Sequence, residues 1–442
     1  MTLDMYRKFG GRTARDLARS IEEAVHAGTL RPGDTLPPIR QLAVSSRISP
    51  VTVAAAYRRL HARGIVVGQG RRGTRVRPNP ASPALPVDQR PAPEGLVDLA
   101  TGNPDPELLP PLAPVLGRVP TAPRLYGDAP IHPPLLAFVA AEFEADGVNA
   151  SHTTVVSGAL DGIERLLREH LQRGDRIGVE DPSVPALLDL IGASGFGAVP
   201  IEVDGEGPRP DSLAEALDRG VRSVVLTPRA QNPTGAALSA ARRAELTRLL
   251  KGRHDVLVIE SDPAGPVAGA PYASVCSGSK RWAVVRSVSK FLGPDLRLAV
   301  MAGDELTIAR VQGRLSLGVR WVSHLLQELT LALWSDPSSG RRLAQAADTY
   351  AARRRALVSA LARQSVDVYG SSGFNVWIPV REETAAVQHL AGCGWAVAAG
   401  ERFRLRSAPA IRVTTSSLPT DRAPQLAADI AAALRPSAAA SV

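Results

Sequence analysis

Apolar and polar positions along the chain fall into three regimes. Between residues 12 and 27, Leu17, Ile21, Ala24 and Val25 recur at helical spacing, which predicts an amphipathic helix ended by Gly28. A turn over Arg31-Pro32-Gly33-Asp34 leads to a second helix near Pro38, with Ile39, Leu42 and Ala43 pointing inward. A third helix starts with Ser49 as N-cap and Pro50 at its first position. It carries Val53, Tyr57 and Leu60 as a core stripe and stops at Gly64. Two short strands, 65–67 and 74–77, surround the tip Gln69-Gly70-Arg71-Arg72-Gly73. Three helices and a hairpin over residues 1–77 make a winged helix-turn-helix.

The second regime is short. Residues 78–95 hold prolines at 78, 80, 83, 86, 91 and 93, which makes a semi-extended linker. In the third, strand and helix signals alternate. Strands are predicted over 154–156, 176–179, 198–203, 223–226, 256–259, 283–286 and 298–301, with helical runs such as 161–171 and 238–250 between them. That rhythm implies an α/β domain with a largely parallel sheet over 96–334. From about 335 long helices and a few strands, 375–379 and 411–414 among them, predict a small C-terminal α+β subdomain over 335–442. The last residues, from Pro436, are Ala/Ser-rich and are expected to fray.

Composition narrows the class. At 442 residues and 44% apolar the chain can bury more than one core, and it holds no apolar run long enough to span a membrane. The start shows no secretory signal, and two distant cysteines, Cys276 and Cys393, lack metal spacing; a reduced cytoplasmic protein without a metal site is expected. The charge is uneven. Residues 1–77 carry a net +10 of the total +9, so the remaining residues are close to neutral. A basic small domain on a neutral large one is the electrostatic footprint of nucleic-acid binding.

The N-terminal 65 or so residues resemble the GntR family of bacterial regulators. The resemblance runs through Gly28-Thr29-Leu30-Arg31-Pro32-Gly33-Asp34, Arg40-Gln41-Leu42-Ala43, Ser49-Pro50-Val51-Thr52-Val53, Ala56-Tyr57-Arg58-Arg59-Leu60 and Gly73-Thr74-Arg75-Val76. Ser49 and Thr52 put short polar groups at the start of a recognition helix. The resemblance implies that Arg40 contacts DNA. Arg58 and Arg59 lie off the apolar stripe, within reach of phosphates, and Arg71-Arg72-Gly73 suits minor-groove insertion. Pro50 stands where many relatives carry arginine.

The run Arg286-Ser287-Val288-Ser289-Lys290, with Arg297 seven residues on, resembles fold-type I aminotransferases. The whole chain resembles the MocR branch of GntR regulators, in which such a domain follows the helix-turn-helix. The implied fold is multidomain: a winged helix-turn-helix plus an α/β transferase fold of type I for pyridoxal 5′-phosphate (PLP). The resemblance implies a Schiff base at Lys290. It implies a phosphate held by Arg297, Ser287, Ser289 and the turn Ser157-Gly158-Ala159, and a ring oxygen held by Asn232. Tyr126 resembles the tyrosine that reaches a partner subunit's phosphate, which implies a homodimer. Arg412 resembles the arginine that grips a substrate carboxylate, with Arg229 as a second contact. His132 and His152 show no partner in the pattern.

Two positions depart from that family. Its motif Glu-Asp-Asp reads Glu260-Ser261-Asp262 here, with Ser261 at the aspartate that keeps the pyridine nitrogen protonated; Asp262 substitutes if the turn shifts by one residue. Val184 stands where relatives stack an aromatic on the ring, and Ile131 where they often have glycine. The expectation is a transcription regulator that binds a double-stranded operator and senses PLP, or its Schiff-base adduct with a small amino compound. The alternative is a PLP-dependent aminotransferase that carries a DNA-binding domain.

Overall fold

The computed structural model describes residues 13–62, 65–68, 73–76, 92–120 and 122–435. The chain divides into two compact units, Met1–Val87 and Asp88–Val442. The division falls inside the proline-rich segment, most of which lies outside the described residues.

In the first unit, α1 (Ala14–His26) begins where Thr13 leaves extended backbone and its hydroxyl accepts from the Asp16 N–H. Helices α2 (Ile39–Ser46) and α3 (Pro50–Ala62) follow, separated by Arg47 in the left-handed conformation. Leu17, Ile21, Leu42, Ala43, Val53, Tyr57 and Leu60 close one core. The Tyr57 hydroxyl donates to the Pro37 carbonyl at 2.7 Å within it, which pins α3 to the entry of α2. Ile39 differs from its expected inward position and is 38% exposed. It opens an eight-residue helix whose buried face begins one turn later, at Leu42. Strands β1 (Val66–Gly68) and β2 (Thr74–Val76) form the antiparallel hairpin, Val66 opposite Val76. Asp34 and Leu36 add backbone hydrogen bonds to β2.

The second unit opens with β3 (Val97–Leu99). Its main sheet contains β4 (Thr153–Val156), β5 (Arg176–Asp181), β6 (Gly197–Asp204), β7 (Gly207–Pro208), β8 (Ser223–Leu226), β9 (Leu257–Asp262), β10 (Trp282–Ser287) and β11 (Ala299–Gly303). Their order is β4-β11-β10-β9-β8-β5-β6-β7. Strands β10, β9, β8, β5 and β6 run parallel, and β11 runs antiparallel to both of its neighbours. Helices α4 (Pro133–Ala145), α5 (Ala159–His170), α6 (Pro185–Ser194), α7 (Pro210–Asp218), α8 (Ala240–Leu250), α9 (Glu305–Leu317) and α10 (His324–Trp334) cover it.

The sheet separates two cores, and strand parity assigns each side chain to one of them. Leu257 and Ile259 of β9 pack with Ile163, Leu187 and Val311 from α5, α6 and α9. Val258 packs on the opposite face with Phe143, Leu213, Leu246 and Leu333 from α4, α7, α8 and α10.

The long helix α11 (Pro337–Arg363) leads to β12 (Asn375–Pro379), α12 (Glu383–Gly392), β13 (Trp395–Ala399), β14 (Ala410–Thr414) and α13 (Ala423–Leu434). The smaller sheet has the order β12-β14-β13-β3. Two features correct the sequence expectation. Residues 97–99, expected in the large domain, pair with β13 and belong to the small sheet. β13 itself, Trp-Ala-Val-Ala-Ala, lacks the alternation that marks a strand, and the buried face of the small core recruits it.

Candidate functional site

On the first unit, the start of α3 carries a local cap of two hydroxyls. The Ser49 Oγ accepts from the Thr52 N–H at 3.0 Å and meets the Thr52 hydroxyl at 2.8 Å. Pro50 follows at the first helical position, where its missing N–H leaves no bond unmade. Arg40 and Arg59 are exposed, and Gly73 has φ +84° at the foot of the hairpin. The Arg58 side chain and the wing-tip residues Arg71 and Arg72 lie outside the described residues. Sequence reasoning missed Val44 and Val51, which are 81% and 74% exposed. Both lie off the core stripe, and an apolar group beside short hydroxyls, as Val51 is beside Ser49 and Thr52 in the chain, suits thymine methyls in a major groove.

The second site lies at the carboxyl ends of the parallel strands, where open α/β sheets bind ligands. β10 ends at Ser287, and the chain turns through Val288 and Ser289 to Lys290. The Ser287 and Ser289 hydroxyls lie 2.8 Å apart. The Lys290 Nζ donates to the Gly102 carbonyl at 2.6 Å and sits 6.0 Å from the centre of the Phe374 ring. Burial, with the Arg412 charge nearby, pushes its pKa down to about 8.

At one end of this site Arg297, in left-handed backbone, comes against the turn from β4 into α5. Gly158 has φ +98°, which favours glycine, and a Cβ built there would crowd the Arg297 Nη2 at 3.3 Å. Ser157, Gly158 and Ala159 lead into α5, whose first N–H groups and dipole favour an anion. Arg297 has no ion-pair partner among the described residues.

At the other end, the Arg412 Nη1 donates to the Asn232 Oδ1 at 3.2 Å and the Nη2 donates to the Ala100 carbonyl. Its guanidinium lies 4.8 Å from the Phe403 ring centre. Gly102 has φ +69°, and a Cβ there would lie 3.2 Å from the Arg412 Nη1. Ala100, Gly102, Phe374 and Phe403 had no local signal except the Gly102-Asn103-Pro104 turn. They reach the site from both ends of the unit.

The loop bearing Val184 and the loop bearing Asn232 are tied together by a buried carboxylate. Glu180 accepts from the Thr227 N–H at 2.7 Å and the Gln231 Nε2 at 3.1 Å; Gln231 also donates to the Pro182 carbonyl at 2.8 Å. Burial pushes the Glu180 carboxyl up to about 7, against the pull of those hydrogen bonds.

Two expected site residues lie elsewhere. Asp262 is fully buried between arginines: Arg229 donates to it at 2.8 and 3.2 Å, Arg286 at 2.7 Å, and the Gly265 N–H at 3.1 Å. Burial alone raises its carboxyl, but the two arginines outweigh that and hold it below the usual range. Arg229 and Arg286 also share Asp146. Arg229 was expected beside an effector carboxylate; it is instead consumed by this network. Parity is the reason. Asp262 shares the Val258 face of β9, away from Ser261. His132, which shows no partner in the sequence pattern, lies 3.1 Å from Glu328. Tyr126 is 80% exposed and stacks edge-on with Trp321 at 5.7 Å, with Arg320 over its ring at 5.0 Å.

Comparison with known proteins agrees with this geometry. Residues 96–430 match the family aminotransferase class I and II, and residues 13–76 match the bacterial regulatory proteins of the gntR family. The chain is 43% identical over 428 residues to the vitamin B6 salvage pathway transcriptional repressor PtsJ of Salmonella typhimurium, covering 96% of this chain and 99% of that one. It is 29% identical over 260 residues to the pyridoxine biosynthesis transcriptional regulator PdxR of Corynebacterium glutamicum, covering 56% of this chain and 55% of that one. Among solved structures, the kynurenine aminotransferase of Pyrococcus horikoshii superposes with a TM-score of 0.70 at 21% identity, over 77% of this chain and 91% of that chain. That last likeness shows the fold alone. The aminotransferase class I and II fold is a PLP fold, and the residues present suit that cofactor. Arg297 lies against Gly158, an amine of lowered pKa lies beside Gly102 near Arg412, and the paired Ser287 and Ser289 hydroxyls precede that amine in the chain.

Proposed function

Since this chain belongs to the GntR-type regulators of the MocR branch, a gntR-family helix-turn-helix fused to an aminotransferase class I and II domain, we propose that it is a PLP-responsive transcription regulator in the cytoplasm. The observation that carries the reading is the buried Lys290 amine, its pKa lowered to about 8 by burial and by Arg412, which pairs with Asn232. PLP supplies an aldehyde there, which Lys290 holds covalently. Arg297, Ser287, Ser289 and the start of α5 hold its phosphate, and Asn232 its ring oxygen. Arg412 grips the carboxylate of a small amino compound beside it. The full-length likeness to PtsJ, a repressor of vitamin B6 salvage, supports genes of vitamin B6 supply as the regulated set.

DNA reading falls to Arg40, Ser49, Pro50, Thr52, Arg58, Arg59 and the wing residues Arg71, Arg72 and Gly73. The working unit is a homodimer. The exposed Tyr126, already ordered against Trp321 and Arg320, is the side chain that reaches a second copy. Two helix-turn-helix units then read paired half-sites. Ligand acts by favouring one arrangement of the pair, a coupling that is reciprocal: PLP changes operator affinity by the same factor as operator changes PLP affinity.

The test is an absorbance spectrum of purified protein beside Lys290→Ala, followed by operator titration with and without PLP. The expected result is a visible band that the variant lacks and an operator affinity that shifts with PLP only in the wild type. No band in the wild type after PLP addition overturns the reading.

A further inference from the structure

The residue that meets the ring nitrogen of a pyridine cofactor sets its protonation. A carboxylate keeps it protonated and makes the ring an electron sink. In this chain that residue belongs at the end of β9, the strand beside the one that leads to Lys290. Ser261 and Asp262 compete for the role, and the sheet decides between them.

Ser261 shares its parity with Leu257 and Ile259, whose core also contains Val285 of β10 and takes up Val184 and Ala159. Ser287, two residues beyond Val285, shares that face, so Ser261 lies on the side of the sheet that carries the ligand groups. Ser261 is partly open, and among the described residues its hydroxyl makes no hydrogen bond. Asp262 and Glu260 share the opposite face with Val258. Both carboxylates of that face are committed. Asp262 is held by Arg229 and Arg286, and Glu260 accepts from the Tyr272 hydroxyl at 2.6 Å and from the Val275 N–H.

Two further carboxylates on or beside the Ser261 face are spoken for as well. Asp181, at the same parity on β5, accepts from the N–H groups of Leu405, Arg406 and Ser407 at 2.7 to 3.0 Å. Asp161 on α5 accepts from the Ser157 N–H at 3.0 Å and pairs with Arg165 at 2.8 Å.

We propose that Ser261 is the partner of the ring nitrogen and that this chain holds PLP with that nitrogen unprotonated, as a receptor for amino compounds and not as a catalyst acting on them. A hydroxyl donates a hydrogen bond to a neutral pyridine nitrogen but offers no charge to stabilise an N–H⁺. Without that charge the ring draws little electron density, so the α-proton of a bound amino compound stays in place. The phosphate and carboxylate ends still bind, because Arg297 and Arg412 do not depend on the nitrogen. The inference rests on the PLP reading above and specifies how that site is used.

The test loads the full chain with PLP labelled with ¹⁵N in the ring and records the nitrogen resonance, for the wild type and for Ser261→Asp. The expected outcome is an unprotonated pyridine resonance in the wild type and a pyridinium resonance in the variant. In parallel, α-deuterated amino acids are incubated with each protein. Deuterium is retained with the wild type and washed out roughly 10²-fold faster with Ser261→Asp, the order of effect of one polar group placed to stabilise developing charge. A pyridinium resonance in the wild type, or rapid wash-out by it, overturns the proposal even if the variant does not fold. Failure of the wild type to bind labelled PLP at all overturns the cofactor reading itself, a result that the visible band separates from the first.

Discussion

Ser261 and Asp262 are neighbours in the chain and opposites in the fold. One faces a site lined by hydroxyls, glycines and an amine; the other lies in a closed network of Arg229, Arg286 and Asp146. A one-residue step along a strand moves a side chain through the sheet, from a ligand face to a structural one. The comparison teaches why a motif can keep two of its three acids and still change its chemistry. The Glu260-Ser261-Asp262 segment retains two acids, and both serve packing, each paired with groups that offset the cost of burying it.

The contrast is sharpest for Lys290→Ala. It removes the covalent anchor on the ligand face, so the visible band of PLP-loaded protein is expected to vanish while urea stability hardly changes. A band that persists would move the anchor elsewhere. Next in size is Asp262→Asn on the opposite face. It leaves two buried arginines short of a charge and is expected to cost about 3–5 kcal/mol. Chemical denaturation of the second unit reads this, and the folded fraction should keep its PLP band. If stability holds and the band is lost instead, Asp262 belongs to the ligand and the two-face picture fails.

Arg297→Ala removes one charge-assisted contact at the anion end and is expected to weaken PLP binding by roughly 10- to 100-fold, from about 1.5–3 kcal/mol. Equilibrium titration of the visible band measures it, with unchanged affinity as the contrary result. The smallest effect concerns pH. Burial, and then Arg412, lower the Lys290 pKa to about 8. The neutral amine attacks the aldehyde, so capture of PLP should rise with pH and level off above about 8, two units before an ordinary lysine would. Stopped-flow absorbance from pH 6 to 10 follows this, and Arg412→Gln should shift the midpoint upward by removing the nearby positive charge. A midpoint near 10 would mean that the amine is not buried as described.

Much of this site was legible before any fold, because Lys290, Arg297, Asn232 and Ser157-Gly158-Ala159 each sit in a short run with a recognisable shape. The structure brings Lys290, Asn232 and Arg412 into one constellation. What was not legible depends on distant partners. Gly102 meets Lys290 from 188 residues away, and Ala100 meets Arg412 from 312. No local pattern encodes that β3 closes the small sheet, since its three residues are too few to alternate. Arg229 was misplaced for the same reason. Its position beside Asn232 is a fact of the chain, but its partners Asp262 and Asp146 come from other strands and helices. His132 gained Glu328 in the same way.

From the sequence alone came the two-unit organisation, the basic charge gathered in the first unit, the helix cap at Ser49, and the residue types of the site. These are local quantities, set by spacing of a few residues, by capping chemistry and by charge counts. Tertiary structure alone decided that Ser261 and Asp262 lie on opposite faces of β9, and so that Asp262 is spent on arginines while Ser261 is not. Sheet parity is invisible until neighbouring strands define a face, and an acid's role follows from the charges brought to it, which the fold supplies from 33 and 24 residues away.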